Sequence, residues 1–198
     1  MTFALWLLGA YLLGALPIGL YVGKIARGVD VRDLGSGNTG ATNVWRTLGP
    51  GLGLLVFILD VAKGIVPVLL AKYYAPLSGW GGVLAGFAAI IGHNVSPFLK
   101  FKGGKGVATT LGVGFGLSWQ AALIGFAVWG VCLALTRYVS VASIVGTVVG
   151  AVSLWLLNHQ QIPSGLFALI AAVFVIVKHR PNITRLRAGT EPKVGKKV

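Results

Sequence analysis

Residues Gly92–Thr110 read GHNVSPFLKFKGGKGVATT and separate two apolar stretches of the chain. They contain three lysines and the run Gly103-Gly104-Lys105-Gly106. Glycine leaves backbone N–H groups accessible, and an adjacent lysine adds a full positive charge, a combination that suits an oxyanion such as phosphate. Charged, glycine-rich backbone lies at a membrane boundary only where protein or water satisfies it. The stretch therefore predicts a phosphate-binding loop at a membrane surface.

The composition indicates a protein with several membrane spans. Of the 198 residues, 56% are hydrophobic and 11% are charged, whereas a soluble domain carries roughly 25% charged residues. Seventeen Lys and Arg residues against four Asp and Glu residues give a net charge of +13. Because the aromatic residues lie in apolar segments and not among the basic ones, we expect no nucleic acid as a partner. The basic excess instead indicates cytoplasmic loops and anionic lipids or substrates.

Apolar stretches of roughly 20 residues predict the spans. Pro17 is expected to kink the first of them. The stretch 107–135 is too long for one span and short for two, and Leu117–Gln120 can form a turn inside it. The predicted spans are residues 2–23, 51–72, 80–98, two within 107–135, 141–157 and 164–177.

The basic residues decide the number of spans. With seven spans, segments 24–50, 99–105, 137 and 178–198 face one side and hold fifteen of the seventeen basic residues. A single span across 107–135 would violate the positive-inside rule. We therefore predict an all-α polytopic membrane protein, one domain over residues 1–198, with seven transmembrane helices. Its N-terminus lies outside, and its polar motif loops and its basic tail, residues 178–198, face the cytoplasm.

The first polar segment, Gly35–Arg46, has the composition of an anion-binding loop. Its glycines permit tight turns, its side chains offer hydroxyl and amide donors, and Arg46 can grip phosphate bidentately. The alternative is a solvated loop before a short helix, with Thr42 or Asn43 as the N-cap. The polar candidates are Ser36, Asn38, Thr39, Thr42 and Asn43.

The second loop, Gly103–Gly106, is not a nucleotide-binding P-loop, because no strand precedes it and a glycine occupies the Ser/Thr position. It leads directly into an apolar helix at Val107, whose N-terminus attracts anions. Lys105 would add charge there. The positive-inside rule accounts for Lys100 and Lys102 without a binding role.

Polar residues inside the spans are interpreted as structural. Asp60 and Lys63 lie one helical turn apart and can pair, which offsets a cost of ~2.5–3.5 kcal/mol for an unpaired intramembrane charge. His93 is interpreted as a packed, hydrogen-bonded histidine. The three histidines and the lone Cys132 have no ligand spacing, so we expect no metal and no cofactor.

Two further polar patches lie at predicted cytoplasmic ends of spans. Ser143 begins the sixth span, where it can equally bond its own helix backbone. The tail begins Lys178-His179-Arg180-Pro181-Asn182. A stop-transfer cluster explains Lys178 and Arg180, but topology explains His179 and Asn182 less well, since neither is reliably charged.

Together these segments resemble a known family. SGNTGATNVWRTLG, GHNVSPFLKFKGGKGVATTLG, RYVSVASI and KHRPNITRLRAGTE occur in this order among the predicted spans. The set resembles the bacterial acyl-phosphate:glycerol-3-phosphate acyltransferases, the PlsY family, over nearly the whole chain. Each segment alone is weak, but four in order are highly specific.

The resemblance implies a reaction and a location. An acyl group passes from acyl phosphate to the 1-hydroxyl of glycerol 3-phosphate, giving lysophosphatidate and phosphate without a covalent acyl-enzyme. This is the first acylation of phospholipid biosynthesis. The resemblance further implies a bacterial inner-membrane protein among lipids, an active site facing the cytoplasm, and an acyl-phosphate-producing enzyme as a partner.

The resemblance also implies residue roles. The catalytic residues are Lys105, His179 and Ser36. The acyl-phosphate-binding residues are Ser36, Asn38, Thr42, Gly103, Gly104, Lys105 and Gly106. The glycerol-3-phosphate-binding residues are Arg46, Lys105, Ser143, His179 and Asn182. The proton acceptor stays open between His179 and the donor's own phosphate, with the phosphate favoured.

The residues alone leave two other functions open. A transporter or lipid-binding protein for phosphorylated solutes also uses broken, glycine-rich helices. In this chain, however, the polar segments cluster on one predicted face and not at corresponding positions of two halves. A structural membrane subunit explains the hydropathy but not the Gly, Asn, Ser and Thr concentrated in basic loops.

Overall fold

The computed structural model describes residues 3–75 and 77–195, which form helices joined by short loops and contain no strand. Two compact units divide the chain, one up to Gly116 and the other from Leu117. That residues 1–198 form a single domain stays a prediction. The helices are α1 Phe3–Ala15, α2 Ile18–Arg27, α3 Ala41–Leu48, α4 Pro50–Tyr74, α5 Trp80–Asn94, α6 Val107–Leu117, α7 Trp119–Thr136, α8 Val139–Leu157, α9 Ile162–Lys178 and α10 Arg180–Arg187.

The first helix pair is broken where the sequence predicts a kink. Proline lacks a backbone N–H and cannot continue a helical ladder, so α1 ends at Ala15 and α2 begins at Ile18 after Pro17. The two axes differ by 41°. The break leaves the carbonyl of Leu16 to accept a hydrogen bond from a side chain of α4.

In the first unit, α4 lies against α1, α2, α3 and α5. Small residues allow close helix approach: a Cβ on Gly64 or Gly112 would collide with the backbone of the facing helix in the α4–α6 contact. The valines Val31, Val44 and Val56 form a fully buried cluster beneath the first polar loop. Val31 and Val44 come from the polar segment and Val56 comes from α4, so their packing fixes the base of that loop.

In the second unit, α8 lies against both α7 and α9. Gly125 of α7 and Gly146 of α8 make the α7–α8 contact, because a Cβ on either would come within 2.8 Å of the other's carbonyl oxygen. The turn expected between 117 and 120 is confirmed, since α6 ends at Leu117 and α7 begins at Trp119.

The helices confirm a multi-pass membrane protein. Among the described residues, four segments can each cross a membrane, namely Pro50–Tyr74, Trp80–Leu99, Trp119–Thr136 and Val139–Leu157. Two bent pairs, α1 with α2 and α9 with α10, raise the number to six. The remaining apolar helix, α6, has 11 residues. At 1.5 Å per residue it reaches only about 16 Å of a ~30 Å hydrocarbon core. The seventh span and the orientation therefore stay predictions.

Candidate active site

A buried asparagine organises the first polar loop. The Asn43 Nδ2 donates to the carbonyls of Val31 and Leu34 at 2.8 and 3.0 Å. The Asn43 Oδ1 accepts from the backbone N and the Oγ of Ser36 at 2.8 and 3.2 Å. Asn43 therefore holds Ser36 in place from beneath, while Ser36 itself is exposed. The alternative in which Thr42 or Asn43 caps α3 is wrong, because Gly40 is the N-cap and no side chain bonds there.

A second asparagine stabilises a turn within the same loop. The Asn38 Oδ1 accepts from the backbone N of Gly40 at 2.8 Å. Thr42 and Arg46 lie on α3 and are half-buried. Upstream, the Arg32 side chain and backbone both donate to Asp30. The side-chain hydrogen bond from Arg32 lowers the pKa of Asp30 to about 2.

The glycine-rich loop is fastened to the end of α5. Gly103 N donates to the Asn94 carbonyl at 3.1 Å, and Gly104 N donates to the His93 carbonyl at 3.2 Å. A side chain at either glycine would collide with these residues. Two of the N–H groups expected to face phosphate thus hold the loop in this structure. Gly106 adopts a left-handed φ of +79°, which favours glycine.

The second loop then enters a helix, as the sequence predicts. Helix α6 begins at Val107, and the Gly106 carbonyl accepts from Thr110 N at 2.7 Å. Lys105, half-buried, stands immediately before this N-terminus. A cation at this position supplements the positive end of the helix dipole, so the two features together favour an anion.

A buried charged cluster lies beside both loops of the first unit. Lys63 Nζ is 2.7 Å from Asp60 Oδ1, which confirms the predicted pair. Lys63 also donates to the Leu16 carbonyl at 3.0 Å, and His93 Nδ1 is 3.8 Å from the same Asp60 oxygen. These three side chains, together with Thr39 of the first loop, line one small cavity. The cavity thus brings together the end of α5 and the first polar segment.

In the second unit, His179 lies between α9 and α10 and is 2% exposed. Its Nδ1 lies 2.8 Å from the Val175 carbonyl. Since a carbonyl only accepts, this contact places the proton on Nδ1 and makes Nε2 the basic nitrogen. In this tautomer Nε2 is the hydrogen-bond acceptor of the ring.

Asn182 is anchored by a carboxylate from the tail. The Asn182 Nδ2 donates to Glu191 Oε1 at 2.6 Å, and Arg185 Nε donates to Glu191 Oε2 at 2.8 Å. Burial raises the pKa of Glu191, but the hydrogen bonds to its carboxylate, that from Asn182 first, together with the charge of Arg185 lower it by more, so the net pKa lies below its ordinary value. Glu191 is therefore an ionised acceptor that orients Asn182.

Ser143 and Arg137 lie on other elements of the second unit. The Ser143 Oγ accepts from the Trp129 indole N–H at 3.4 Å. Arg137 pairs with the tail, because its carbonyl accepts from Val194 N and its Nη2 donates to the Val194 carbonyl, both at 2.9 Å. The described part of the tail is thus folded against the start of α8 and contains α10.

Two residues of the site have roles that the sequence did not predict. Asn43 was weighed as an anion ligand or a cap, not as the clamp of Ser36. Glu191 carried no expected role, yet it is 7% exposed and binds Asn182. Glu191 is one of four acidic residues in the chain. A single carboxylate within a basic tail was the feature of the sequence that could have indicated a structural role for it.

Comparison with known proteins shows similarity over the whole chain. Residues 4–189 match the family described as glycerol-3-phosphate acyltransferase. A glycerol-3-phosphate acyltransferase of Synechococcus sp. (strain JA-2-3B'a(2-13)) is 49% identical over 197 residues, covering 100% of this chain and 97% of the relative. That of Gloeobacter violaceus is 44% identical, covering 94% and 92%.

Solved structures show the same similarity. The crystal structure of PlsY, an integral membrane glycerol 3-phosphate acyltransferase, in its glycerol 3-phosphate form has a TM-score of 0.92 at 41% identity, covering 98% of this chain and 96% of that one. The lysophosphatidic acid form has a TM-score of 0.91 at 40% identity, covering 98% and 95%.

Proposed function

The chain belongs to the glycerol-3-phosphate acyltransferase family, and we propose that it transfers a fatty acyl group from acyl phosphate to the 1-hydroxyl of glycerol 3-phosphate. The products are lysophosphatidate and inorganic phosphate. The observation that carries the acyltransferase activity is the match over residues 4–189. Support for the two lipid-synthesis ligands comes from the PlsY structures, which were solved in glycerol 3-phosphate and lysophosphatidic acid forms.

The resemblance to the family implies acyl phosphate as the donor, and the chemistry of the chain is compatible with it. Both proposed substrates carry phosphate, and the polar loops of the first unit combine Lys105 with a helix N-terminus. Acyl phosphate is a mixed anhydride with a good leaving group, so the enzyme needs mainly to hold two substrates together and stabilise charge. A direct transfer between two substrates held side by side needs no covalent acyl-enzyme.

The proposed step is a direct displacement at the acyl carbon. The 1-hydroxyl oxygen of glycerol 3-phosphate forms a bond to the carbonyl carbon, and the carbon–oxygen bond to phosphate breaks with its electron pair on the phosphate. The hydroxyl proton passes to the leaving phosphate. The alternative acceptor is His179, whose Nδ1 contact with the Val175 carbonyl makes Nε2 basic.

The residue roles in this proposal follow the four motifs. Lys105, Ser36 and His179 take part in the reaction, with Lys105 stabilising the phosphate and the developing oxyanion. Ser36, Asn38, Thr42 and Gly103–Gly106 bind acyl phosphate. The residues proposed to bind glycerol 3-phosphate are Arg46, Lys105, Ser143, His179 and Asn182. The clamp of Asn43 on Ser36 and that of Glu191 on Asn182 support the first and last motifs.

The proposal places the enzyme in the bacterial inner membrane. Seven spans would put the N-terminus outside and the motif loops and basic tail on the cytoplasmic side, as the positive-inside rule requires. Acyl phosphate is reactive and amphiphilic, so an enzyme that produces it is the proposed partner. Cysteine accessibility from each side of sealed vesicles tests the orientation.

The function is tested with the purified full chain in detergent. Supplied with acyl phosphate and glycerol 3-phosphate, it is expected to release lysophosphatidate and phosphate in equal amounts. Lys105→Ala is expected to lose nearly all activity, whereas the matched variant Lys102→Ala, at an exposed lysine three residues earlier, retains it. Full activity in Lys105→Ala would refute the role of this lysine.

A further inference from the structure

The cluster of Asp60, Lys63 and His93 is the most buried group of ionisable side chains in the described part of the first unit. Their exposed fractions are 2%, 4% and 8%. Ionisable side chains inside a membrane are costly, and they mark functional sites more often than packing sites. The proposed reaction, as described above, makes no use of them.

The cluster links α4 to two other parts of the first unit. Asp60 and Lys63 pair on α4, and Lys63 reaches the Leu16 carbonyl at the break between α1 and α2. The position of the pair is therefore fixed, because its charges are matched and its lysine also donates to a carbonyl at the break between α1 and α2.

The His93 imidazole spans the space between this fixed point and the glycine-rich loop. On one side its Nδ1 faces Asp60 Oδ1 at 3.8 Å. On the other side, its Nε2 occupies the position next to Gly104 where a Cβ would point, with Cε1 only 3.1 Å from that Cβ position. The carbonyl of His93 also accepts from Gly104 N at 3.2 Å. One residue thus holds the loop by its ring and by its backbone.

We propose that His93 is a positioning residue that sets the orientation of the Gly103–Gly106 loop for phosphate, anchored from behind by the Asp60–Lys63 pair. The inference rests on the proposed function, because that function assigns phosphate binding to this loop. A binding loop works when the residues behind it fix its geometry. The ring has no contact with substrate in this role and acts through Lys105 and its glycine neighbours.

The role predicts an effect on binding that is separable from stability. In the full chain in detergent, His93→Leu is expected to raise the Kd for inorganic phosphate and the KM for acyl phosphate roughly fivefold, since it removes the ring that packs against Gly104 and faces Asp60. The kcat is expected to change by less than about twofold. His93→Gln, whose amide reaches toward the loop as Nε2 does, is expected to recover most of the affinity.

A core variant and a double variant complete the test. Val68→Ala removes two methyl groups from a fully buried side chain of α4. It is expected to lower the melting temperature without changing the phosphate Kd. Asp60→Asn combined with Lys63→Met removes the anchor without leaving an unmatched charge. It is expected to weaken phosphate binding in the same direction as His93→Leu, and it decides the question if His93→Leu does not fold.

The readouts separate this inference from the proposed function. Phosphate affinity is measured by calorimetric titration and needs no turnover, so a chain that binds phosphate but transfers no acyl group refutes only the function. Three results would overturn the role of His93: unchanged phosphate Kd in His93→Leu or in the double variant, the same Kd rise in Val68→Ala, or no phosphate binding by the wild-type chain.

Discussion

Replacement of Asn43 tests how the first polar loop is held. Its side chain makes four hydrogen bonds, two to carbonyls of 31 and 34 and two from Ser36. At about 1 kcal/mol net for each, with buried groups left unpaired, Asn43→Ala is expected to cost the ordered loop about 2–4 kcal/mol. A cost of this size shifts the equilibrium between the ordered and the disordered loop by about 30- to 1000-fold toward the disordered form. Because Ser36 loses its support, kcat/KM for acyl phosphate is expected to fall at least about tenfold.

Two further variants make the Asn43 test specific. Asn43→Asp keeps an oxygen that accepts from Ser36, but it sets a buried carboxylate oxygen against the two carbonyls that Nδ2 bonds, so it is expected to be at least as damaging as Asn43→Ala. Asn158→Ala removes one local bond, 3.2 Å long, to the Leu154 carbonyl at the end of α8. It is expected to cost no more than about 1 kcal/mol. The measurements are steady-state kinetics and thermal unfolding in detergent. Wild-type kcat/KM in Asn43→Ala would refute the clamp.

Two other outcomes are expected. Gly104→Ala places a methyl group against the His93 ring, so the KM for acyl phosphate is expected to rise in this variant. The control is Gly130→Ala, whose methyl group meets nothing within 4 Å and is expected to leave the KM unchanged. Equal KM values in the two variants would contradict the packing described. The pKa of Glu191 is lowered in the folded chain. The ionised Glu191 therefore contributes its full share of the stability above its ordinary pKa of 4.5, and this share is lost as the pH falls through the folded pKa. Thermal unfolding from pH 6 to pH 3 should show this loss, and Glu191→Gln should flatten it; an unaltered profile in that variant would exclude Glu191 as the source.

Local features of the fold were predictable from the sequence because short-range spacing determines them. The break at Pro17, the turn before Trp119, the start of α6 at Val107 and the i,i+3 pair of Asp60 with Lys63 are all confirmed. Each depends on a proline, a run length or a helical period. The number of spans is different: α6 is apolar but only 11 residues long, and length alone does not decide whether it crosses.

The supports of the site were not predictable in the same way. Asn43 bonds residues up to twelve positions away, and Asn182 bonds Glu191 nine positions away. No periodicity relates these pairs, because they form only when loops and helix ends meet. The same holds for Gly103 and Gly104, whose N–H groups donate to the end of α5 instead of remaining open. The composition identified the glycine-rich loop, but only the packing shows which of its backbone groups fasten it to α5.

The acyl donor is the central claim, and a side-by-side assay tests it most directly. The purified chain is given glycerol 3-phosphate with acyl phosphate, acyl-CoA or acyl carrier protein bearing the same acyl chain. Lysophosphatidate is expected to form from acyl phosphate alone, with one phosphate released for each product. Exclusive use of acyl-CoA, or no lysophosphatidate from acyl phosphate, would contradict the account.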